Sequence, residues 1–314
     1  MRMKSIRTLL LLLVTASPHA QADPLVVTAE PSACAAVDGG VLVADDELVG
    51  SVYFCDQGAP PSVCRVAKLK RDNAGAVDGE PPSKLVPLQD IEGLGGSGKK
   101  VFLIGSHQGS DKRRKDREFL LEAKWKADDD ELEIKRAQYG LFERLVAALQ
   151  THLAPDDPLR ATTPDPSRLN IEGITTCGDD LFLGLRSPRD PQGRALLLRA
   201  KLDDWFAAEP SPEVLAVDLG GAGVRALDCS GPNLIVLSGP ESDAPGPATT
   251  LWAYQPGKAP VPAPDEVQAL LRPKCGEKLA AEGVCSLGGA KWMAVAEAEG
   301  SEGATVLSFS WSPS

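Results

Sequence analysis

The chain has few histidines and few aromatic side chains, and it lacks several sequence motifs that are typical of hydrolases. It contains 3 histidines, and aromatic residues make up 5% of its 314 positions. With so few aromatics, we expect short strands and a core built mainly from Leu, Val, Ala and Ile. The sequence also lacks a G-x-S-x-G motif, a phosphate-cradling glycine loop and a catalytic-triad order. These absences argue against nucleophilic catalysis.

Basic charge is also scarce. The sequence has 33 Lys and Arg against 44 Asp and Glu, which gives a net charge of -11 at pH 7. A surface that binds nucleic acid or an anionic membrane needs an excess of positive charge. We therefore expect neither as a partner.

The one long apolar run stands at the N-terminus and has the features of a signal peptide. Met1–Arg7 carries three basic residues, the stretch TLLLLLVTA follows, and Ala20-Gln21-Ala22 fits a small-residue cleavage pattern. We predict a signal peptide over residues 1–22 and one exported domain over residues 23–314, periplasmic or extracellular. No other run approaches the roughly 20 apolar residues of a spanning helix, so we expect no membrane insertion.

Five stretches repeat one pattern: an apolar strand, a tight polar turn and a second apolar strand. They begin roughly 55 residues apart with one gap of about 80, and repetition at this scale is typical of a propeller or a solenoid. The copies are SACAAVDGGVLVADDE from Ser32, DIEGLGGSGKKVFLIGSH from Asp90, NIEGITTCGDDLFLGLRSP from Asn170, GVRALDCSGPNLIVLSG from Gly223 and GVCSLGGAKWMAVAEAE from Gly283.

Further strand signals after each copy give four strands per repeat. We therefore predict an all-β fold, a β-propeller of five four-stranded blades. If the segment between Val49 and Leu88 contains an additional blade, the number is six. The last repeat is one strand short, whereas the segment near Pro24–Ala29 is a strand without a partner. Pairing of this segment with Val306–Trp311 would close the ring and protect the sheet edges at the seam.

The long gap between the second and third copies contains a helical pattern. In YGLFERLVAALQTHL, one helical face carries Leu141, Leu145, Ala148 and Leu149. We predict one inserted helix here, which is either a packing cap or a functional lid over one rim. The segment DEVQALLRPKCGEKLAAEG before the fifth copy is a candidate for a second insertion.

Seven cysteines behind a signal peptide predict disulfide bonds. Because the number is odd, at least one cysteine is left over or pairs with another chain. Cys55 and Cys64 bracket a Pro/Gly turn and form the first predicted pair. Cys177 and Cys229 lie in the turns of consecutive copies and would join neighbouring units.

The third disulfide has two alternatives. Cys275 and Cys285 flank a short loop, and this pairing leaves Cys34 over. A Cys34–Cys285 bond is the alternative, and it would close the ring. No C-x-x-C pair occurs among the cysteines, which argues against a structural zinc site.

Polar residues open the first strands of the repeats and close the second strands. In an antiparallel hairpin these positions lie at the same end, so we expect the side chains to meet at one mouth of a central channel. Carboxylates crowded together repel one another, and a cation relieves the repulsion. Hard oxygen ligands favour Ca²⁺ or Mg²⁺. The candidate metal ligands are Asp46, Asp90, Glu92 and Glu172.

Other polar residues at the same strand ends are candidates for substrate binding and proton transfer. Arg186, Arg225 and Ser106 are the candidate substrate-binding residues. His107 beside Ser106 is the candidate general base. The basic run QGSDKRRKDRE that follows would attract an anionic substrate or form a solvated turn.

The motifs DIEGL…FLIGSH, NIEGI…LFLGLRSP and VADDE together resemble an exported bacterial family known only as domain of unknown function 3616. The resemblance covers nearly the whole predicted domain and implies a propeller-like fold without an activity. The combination of an acidic residue and Glu-Gly on an inner strand is also similar, more distantly, to secreted propeller phytases, lactonases and related esterases. That similarity implies channel carboxylates that bind calcium.

Two functions from different classes fit these residues. The first is a Ca²⁺-dependent phosphoesterase or esterase-like hydrolase for a small anionic or ester ligand, in which Arg186 and Arg225 position an anionic group and His107 moves a proton. The second is a non-enzymatic propeller that binds a ligand or an envelope protein at the same mouth. In a purely structural alternative, pairs such as Glu172–Arg225 lock neighbouring blades together.

Overall fold

A computed structural model describes most of the chain. The described residues are 22–25, 30–46, 50–56, 64–70, 75–76, 88–207, 209–241, 248–272, 279–298 and 304–313. All of the predicted signal peptide except Ala22 lies outside these ranges, and so does Cys275.

The described chain forms 21 short strands and three short α-helices. The strands of the first half are β1 (Ala22–Leu25), β2 (Pro31–Val37), β3 (Gly40–Asp45), β4 (Ser51–Asp56), β5 (Cys64–Lys70), β6 (Gly75–Ala76), β7 (Ile91–Ser97), β8 (Lys100–Gly105), β9 (Phe119–Lys126) and β10 (Glu131–Tyr139). Those of the second half are β11 (Asn170–Cys177), β12 (Asp180–Arg189), β13 (Ala195–Lys201), β14 (Glu213–Val217), β15 (Gly223–Ser230), β16 (Asn233–Gly239), β17 (Thr250–Tyr254), β18 (Val261–Pro262), β19 (Leu279–Gly288), β20 (Lys291–Ala298) and β21 (Ala304–Ser310). The helices are α1 (Phe142–Leu149), α2 (Leu202–Trp205) and α3 (Asp265–Leu271).

These strands form four sheets in the described part of the chain. Three sheets have four strands each, in the orders β11-β12-β13-β14, β15-β16-β17-β18 and β1-β21-β20-β19. The fourth sheet has nine strands. It consists of two four-stranded units, β2-β3-β4-β5 and β7-β8-β9-β10, which join where β5 and β10 pair in parallel; β6 also pairs with β10.

The first strand of every unit is an inner strand, and the inner strands form a closed ring. β2 contacts β7, β7 contacts β11, β11 contacts β15, β15 contacts β19, and β19 contacts β2. The architecture is therefore propeller-like, with sheets arranged around a central axis. In the described residues between Val49 and Leu88, the strands β4, β5 and β6 all belong to the nine-stranded sheet.

The N-terminal strand completes the sheet that contains the last strand. β1 pairs antiparallel with β21, with Ala22 opposite Leu307 and Leu25 opposite Ala304. The predicted pairing of the two chain ends is confirmed, although it lies nearer to the N-terminus than Pro24–Ala29. Residues 26–29 of that predicted strand are outside the described part.

Two of the predicted disulfides are confirmed, and one bond joins neighbouring units. The Cα atoms of Cys55 and Cys64 are 4.2 Å apart, on adjacent positions of β4 and β5. Those of Cys177 and Cys229 are 5.5 Å apart and link β11 to β15.

The third disulfide joins the two ends of the ring. Cys34 of β2 is bonded to Cys285 of β19, with a Cα–Cα distance of 5.7 Å and a sequence separation of 251. The Cys275–Cys285 alternative is therefore wrong, because Cys285 lies on an inner strand whose neighbour in the ring is β2. Cys275 lies outside the described residues.

Neighbouring inner strands approach each other so closely that glycine is required at several contacts. A Cβ atom on Gly95 would lie 2.3 Å from the carbonyl oxygen of Ile174 on the next inner strand. A Cβ atom on Gly283 would lie 2.9 Å from the backbone nitrogen of Cys34. The backbones of neighbouring inner strands are thus in direct contact at these positions.

The predicted inserted helix is present as α1 and packs as a cap. Its residues Phe142, Leu145, Val146 and Leu149 are buried and belong to the core cluster between the second and third units. The second insertion contains α3, whose Gln268 side chain bonds both the backbone nitrogen and the carbonyl oxygen of Leu251. Among the described residues, no helix combines the length and apolar character needed to cross a membrane.

Candidate functional site

Every inner strand contains a β-bulge at the same place. In the second unit the register with the next strand shifts between Ile91 and Gly93, and in the third unit it shifts between Ile171 and Gly173. The other three units have the same shift. A bulge turns its extra residue in a new direction, and bulges are frequent beside functional sites. The extra residues are Ser32, Glu92, Glu172, Arg225 and Glu282.

The five bulge residues meet at one end of the ring, which we call the mouth. The Ser32 hydroxyl donates to the carbonyl of Ile91 on the next inner strand, at 2.5 Å. The Arg225 side chain pairs with both Glu172 and Glu282. The charges of Glu172 and Glu282 also act on Glu92. The residues that flank the bulges at this end are Asp46, Asp90, Asn170 and Arg186.

Glu172 is the centre of the half of the mouth that contains arginine. Glu172 is 3% exposed. Its Oε1 atom accepts hydrogen bonds from Arg186 Nη1 at 2.8 Å and from Asn170 Nδ2 at 3.1 Å. Arg225 Nε lies 3.6 Å from Glu172 Oε2, which makes an ion pair but not a hydrogen bond. Burial nevertheless raises the pKa of Glu172, although the two arginines lower it.

Arg225 connects the third, fourth and fifth units. Besides Glu172, its guanidinium group contacts Glu282 through Nη1 and Oε2. Arg186 adds a second link, because its Nε donates to the carbonyl of Pro240 at the end of the fourth unit's hairpin, at 3.2 Å. The arginine half of the mouth is therefore cross-linked between units by charged hydrogen bonds.

Asp90 occupies the next position around the mouth. It accepts a hydrogen bond from the Ser106 hydroxyl, and its Oδ2 lies 3.0 Å from Arg117 Nη1. Burial raises the pKa of Asp90, while Ser106 and Arg117 lower it. The backbone of Asp90 is left-handed, with φ 59°, and so is that of His107, with φ 60°. Such strained non-glycine residues cluster at functional sites.

Glu92 and Asp46 form the acidic half of the mouth. Within the described residues neither side chain has an ion pair with a basic group. Burial raises the pKa of Asp46 to about 7, with further contributions from Glu30 and Asp90. Burial also raises the pKa of Glu92 well above its usual range, and the nearby carboxylates add to the effect, Glu172 most strongly.

Several buried oxygen atoms at the mouth have no hydrogen-bond donor within the described part of the chain. They are Asp46 Oδ1, Asn170 Oδ1 and Glu172 Oε2. Asn170 is 5% exposed, and its amide nitrogen is already used by Glu172. Buried acceptors without donors are unfavourable unless water or a ligand supplies a donor. The mouth therefore has three spare acceptors, while Arg117 Nε beside Asp90 is a buried donor without an acceptor among the described residues.

The structure also shows where the predicted substrate and proton-transfer residues lie. Arg186 and Arg225 are at the mouth but are both paired with carboxylates. Ser106 is fully buried and bonded to Asp90. His107 is fully buried as well, and its Nδ1 is bonded to the carbonyl of Gly105 at 2.8 Å. Burial lowers the pKa of His107, and its role as a general base stays a prediction.

The four predicted metal ligands are not arranged as a ligand set. In the described part, no three His, Cys, Asp or Glu side chains are placed so that they could hold one metal ion. Glu172 is engaged by two arginines, and Asp90 is engaged by Ser106 and Arg117. The carboxylates as they stand therefore do not fit calcium, and the predicted calcium site stays a prediction.

The basic run after His107 is mostly neutralised by its own neighbours. Arg113 pairs with Glu118 and Glu143. Arg114 pairs with Asp116 at 2.8 Å. These pairs support the solvated-turn interpretation, and Arg117 is the member of the run that reaches the mouth.

Glu282 is a member of the mouth that sequence reasoning missed. The repeat pattern starts the fifth copy at Gly283, whereas β19 begins at Leu279 and its bulge residue is Glu282. The sequence did contain a signal for this residue, because Glu282-Gly283 repeats the Glu-Gly pairs that begin at Glu92 and Glu172. Burial raises the pKa of Glu282 to about 7, despite the counteracting charge of Arg225.

One pH effect follows from Asp46. Its pKa is about 7 in the folded protein and about 3.9 in an unfolded chain. The folded state therefore binds more protons in this interval, and its stability falls as the pH rises. Between pH 5 and pH 8 the wild type should lose about 2 to 3 kcal/mol more unfolding free energy than Asp46→Asn, at ~1.36 kcal/mol per pKa unit.

Urea denaturation at the two pH values measures this difference. The exposed Asp128 provides the matched control, since Asp128→Asn should retain the pH dependence of the wild type. Equal pH dependence in Asp46→Asn and wild type would show that Asp46 is ionised normally.

The sequence also matches a known protein family. Residues 126–286 match the family described as a protein of unknown function (DUF3616). The match spans just over half of the chain. The chain belongs to this family. In this DUF3616 protein the matched region runs from β9 to β19 and contains the bulge residues Glu172, Arg225 and Glu282.

Solved structures show only distant similarity to the DUF3616 chain. A structure described as an oxidoreductase (glucose dehydrogenase) from Thermus thermophilus has a TM-score of 0.44 and 11% identity, and covers 93% of this chain and 100% of its own. YCF48 bound to D1 peptide has a TM-score of 0.36 and 12% identity over 86% of this chain. TolB from Acinetobacter baumannii has a TM-score of 0.37 and 10% identity over 90% of this chain. The chain spans 61% of the YCF48 chain and 55% of the TolB chain. No curated protein matches the sequence.

Proposed function

We propose that this DUF3616 protein is an exported five-bladed propeller without enzymatic activity, which binds a ligand through a cationic nitrogen group at the mouth. The observation that carries the proposal is the convergence of five equivalent bulge residues on one site, where Asp46, Asn170 and Glu172 each have a buried oxygen without a donor among the described residues. A protonated amine carries three donors and no acceptor, so it complements such a lining.

The blade number is supported by the ring of inner strands. In this interpretation the nine-stranded sheet is two blades that are joined through their outer strands β5 and β10. The sheet β1-β21-β20-β19 is the blade that both chain ends complete. The three disulfides support export, because such bonds persist mainly in oxidising compartments.

The distribution of charge favours a cationic ligand over the anionic or ester ligand of the hydrolase hypothesis. Both arginines proposed for an anionic group already contact Glu172, and Arg225 also contacts Glu282. An anion would have to displace these buried carboxylates. An ammonium group beside Glu92 and Asp46 would instead compensate carboxylates that have no basic partner within the described residues.

The proposal predicts a specific effect of Glu92→Gln. The amide keeps the shape of Glu92 and removes its charge, so we expect the affinity for n-propylammonium at pH 8 to fall at least about tenfold, in keeping with a lost hydrogen bond to a charged group. Isothermal titration calorimetry on both proteins measures the change. Glu266→Gln, an exposed position on α3, is the matched control and should leave the affinity unchanged.

Two outcomes would contradict the proposal. The first is equal affinity of wild type and Glu92→Gln for n-propylammonium. The second is hydrolysis of phosphomonoester or lactone substrates that a chelator abolishes and CaCl₂ restores, because this would establish the calcium-dependent hydrolase instead.

A further inference from the structure

We propose that the ligand of the mouth is a zwitterion, a short amino acid whose ammonium group lies against Glu92 and Asp46 while its carboxylate binds the side chain of Arg117. This inference rests on the proposed function, since it names the class of ligand that the mouth binds. It adds a position for an anionic group to the position for the cation. The residue that forms it, Arg117, belongs to the basic run after His107.

Arg117 reaches the mouth from the loop between β8 and β9. Its Nη1 atom lies 3.0 Å from Asp90 Oδ2, and Asp90 directly precedes β7, whose second residue is Glu92. Asp90 and Glu92 are two positions apart, which is at most about 7 Å along an extended chain. The charge of Asp90 also acts on both Glu92 and Asp46. One small molecule can therefore contact the acidic half of the mouth and Arg117 together.

The guanidinium group of Arg117 has an unused donor. Its Nε atom is buried and has no hydrogen-bond acceptor within the described residues. Asp90 contacts the group through Nη1, which leaves Nε for another acceptor. A buried donor without an acceptor is unfavourable. This position therefore favours a ligand that brings an acceptor to Nε.

Other arginines of the chain show what this edge of a guanidinium group binds. In three of them, Nε and Nη2 together contact one carboxylate, in the pairs Arg113–Glu118, Arg114–Asp116 and Arg189–Glu241. Two parallel bonds of this kind are the usual geometry between arginine and a carboxylate. Within the described part of the chain, no carboxylate accepts from Arg117 Nε. A carboxylate is the ligand group that best fits this edge.

Asp90 does not prevent a second carboxylate from binding to Arg117. Several arginines of this chain contact two carboxylates at once, namely Arg65, Arg113, Arg136, Arg199 and Arg225. The negative charge of Asp90 is further compensated by a hydrogen bond from the Ser106 hydroxyl and by the nearby charge of Arg114. Asp90 is the one carboxylate that pairs with Arg117 among the described residues, so a place for a second remains.

A zwitterion suits the mouth better than a simple anion. Glu92 and Asp46 have no basic partner in the part of the chain that the structure describes. An anion alone would add negative charge beside these uncompensated carboxylates. An amino acid brings its own ammonium group, which donates to Glu92 and Asp46, and its carboxylate accepts from Arg117. Both positions are then filled without a change in the net charge of the mouth.

Isothermal titration calorimetry at pH 8 tests the inference with matched ligands. One pair is 3-aminopropanoate with 3-aminopropanamide, and the other is 4-aminobutanoate with 4-aminobutanamide. Each pair differs only in the exchange of the carboxylate for a neutral amide of the same shape. In at least one pair, we expect the carboxylate to bind the wild type about tenfold tighter or more, in keeping with a charged hydrogen bond. n-Propylammonium reports on the cation position alone.

Replacement of Arg117 should remove this preference. In Arg117→Gln, we expect the ratio of the affinities for carboxylate and amide to fall to about one. Arg199→Gln is the matched control, because Arg199 is also half-buried and paired with an aspartate, Asp180. It lies opposite Phe182, near the β11–β12 turn and away from the mouth. The control should retain the ratio of the wild type.

Equal affinities for carboxylate and amide in both pairs would overturn the inference, because water would then fill the position beside Arg117. An undiminished ratio in Arg117→Gln would overturn it as well. If Arg117→Gln fails to fold, the comparison of the ligand pairs on the wild type decides alone. Binding of n-propylammonium without a preference for either carboxylate would refute the zwitterion and leave the proposed function intact, whereas no binding of n-propylammonium would refute the proposed function itself.

Discussion

Loss of the Cys34–Cys285 disulfide should lower the free energy of unfolding by about 5 kcal/mol, from the loop-entropy relation for a loop of this length. The bond spans 251 residues and joins the first and last inner strands. Without it, the ring is held closed by the packing of β19 against β2 and by the pairing of β1 with β21. Both cysteines are buried, so we choose Cys34→Ala/Cys285→Ala to avoid burying a new polar group.

Guanidinium denaturation of this double variant measures the effect. Cys55→Ala/Cys64→Ala is the matched control, because that bond spans 9 residues and should contribute about 2 to 3 kcal/mol in the same relation. A smaller loss for the long bond than for the short one would contradict closure of the ring by Cys34 and Cys285.

Replacement of Arg225 should produce the other large effect. Arg225 is 9% exposed and contacts two carboxylates, Glu172 and Glu282. Removing one partner of a buried ion pair leaves uncompensated charge, so we expect Arg225→Met to lower stability by about 3 to 5 kcal/mol at pH 8. The loss should be smaller at pH 5, where the two carboxyl groups take up protons more easily.

A rescue experiment separates charge from packing. Adding Glu172→Gln and Glu282→Gln to Arg225→Met should restore part of the lost stability at pH 8. Arg65→Ala is the exposed control, since its side chain is 41% exposed and surface ion pairs contribute at most about 1 kcal/mol. No rescue by the two Gln substitutions would show that Arg225 acts through packing alone.

Much of the fold was predictable because each repeat contains the turn that sets the pairing register of its two strands. Tight turns between apolar strands define the hairpins, and the spare N-terminal strand predicted the pairing of β1 with β21. The errors concern strands whose pairing depends on contacts between residues far apart in sequence. In the first unit the third strand is Ser51–Asp56, which the repeat pattern does not include. The pairing of β5 with β10 joins residues 63 positions apart in sequence, such as Glu131 and Lys68, and no local pattern signals it.

The candidate site was predictable in composition, whereas its pairing was predicted only as one alternative. The sequence placed Glu92, Glu172, Arg186 and Arg225 at one end of the ring, as the structure does. It offered the Glu172–Arg225 pair as an alternative to arginines that face a ligand, and it could not decide between the two, since this depends on the bulge in each inner strand. Nor could the sequence show that His107 is buried and has a left-handed backbone.

A crystal structure of the protein grown with n-propylammonium at pH 8 tests the central claim most directly. We predict ammonium density at the mouth, with the nitrogen within hydrogen-bond distance of Glu92 and Asp46, and with Arg225 still bound to Glu172 and Glu282. An empty mouth, or an ammonium group elsewhere on the surface, would contradict a cation-binding site formed by the five bulge residues.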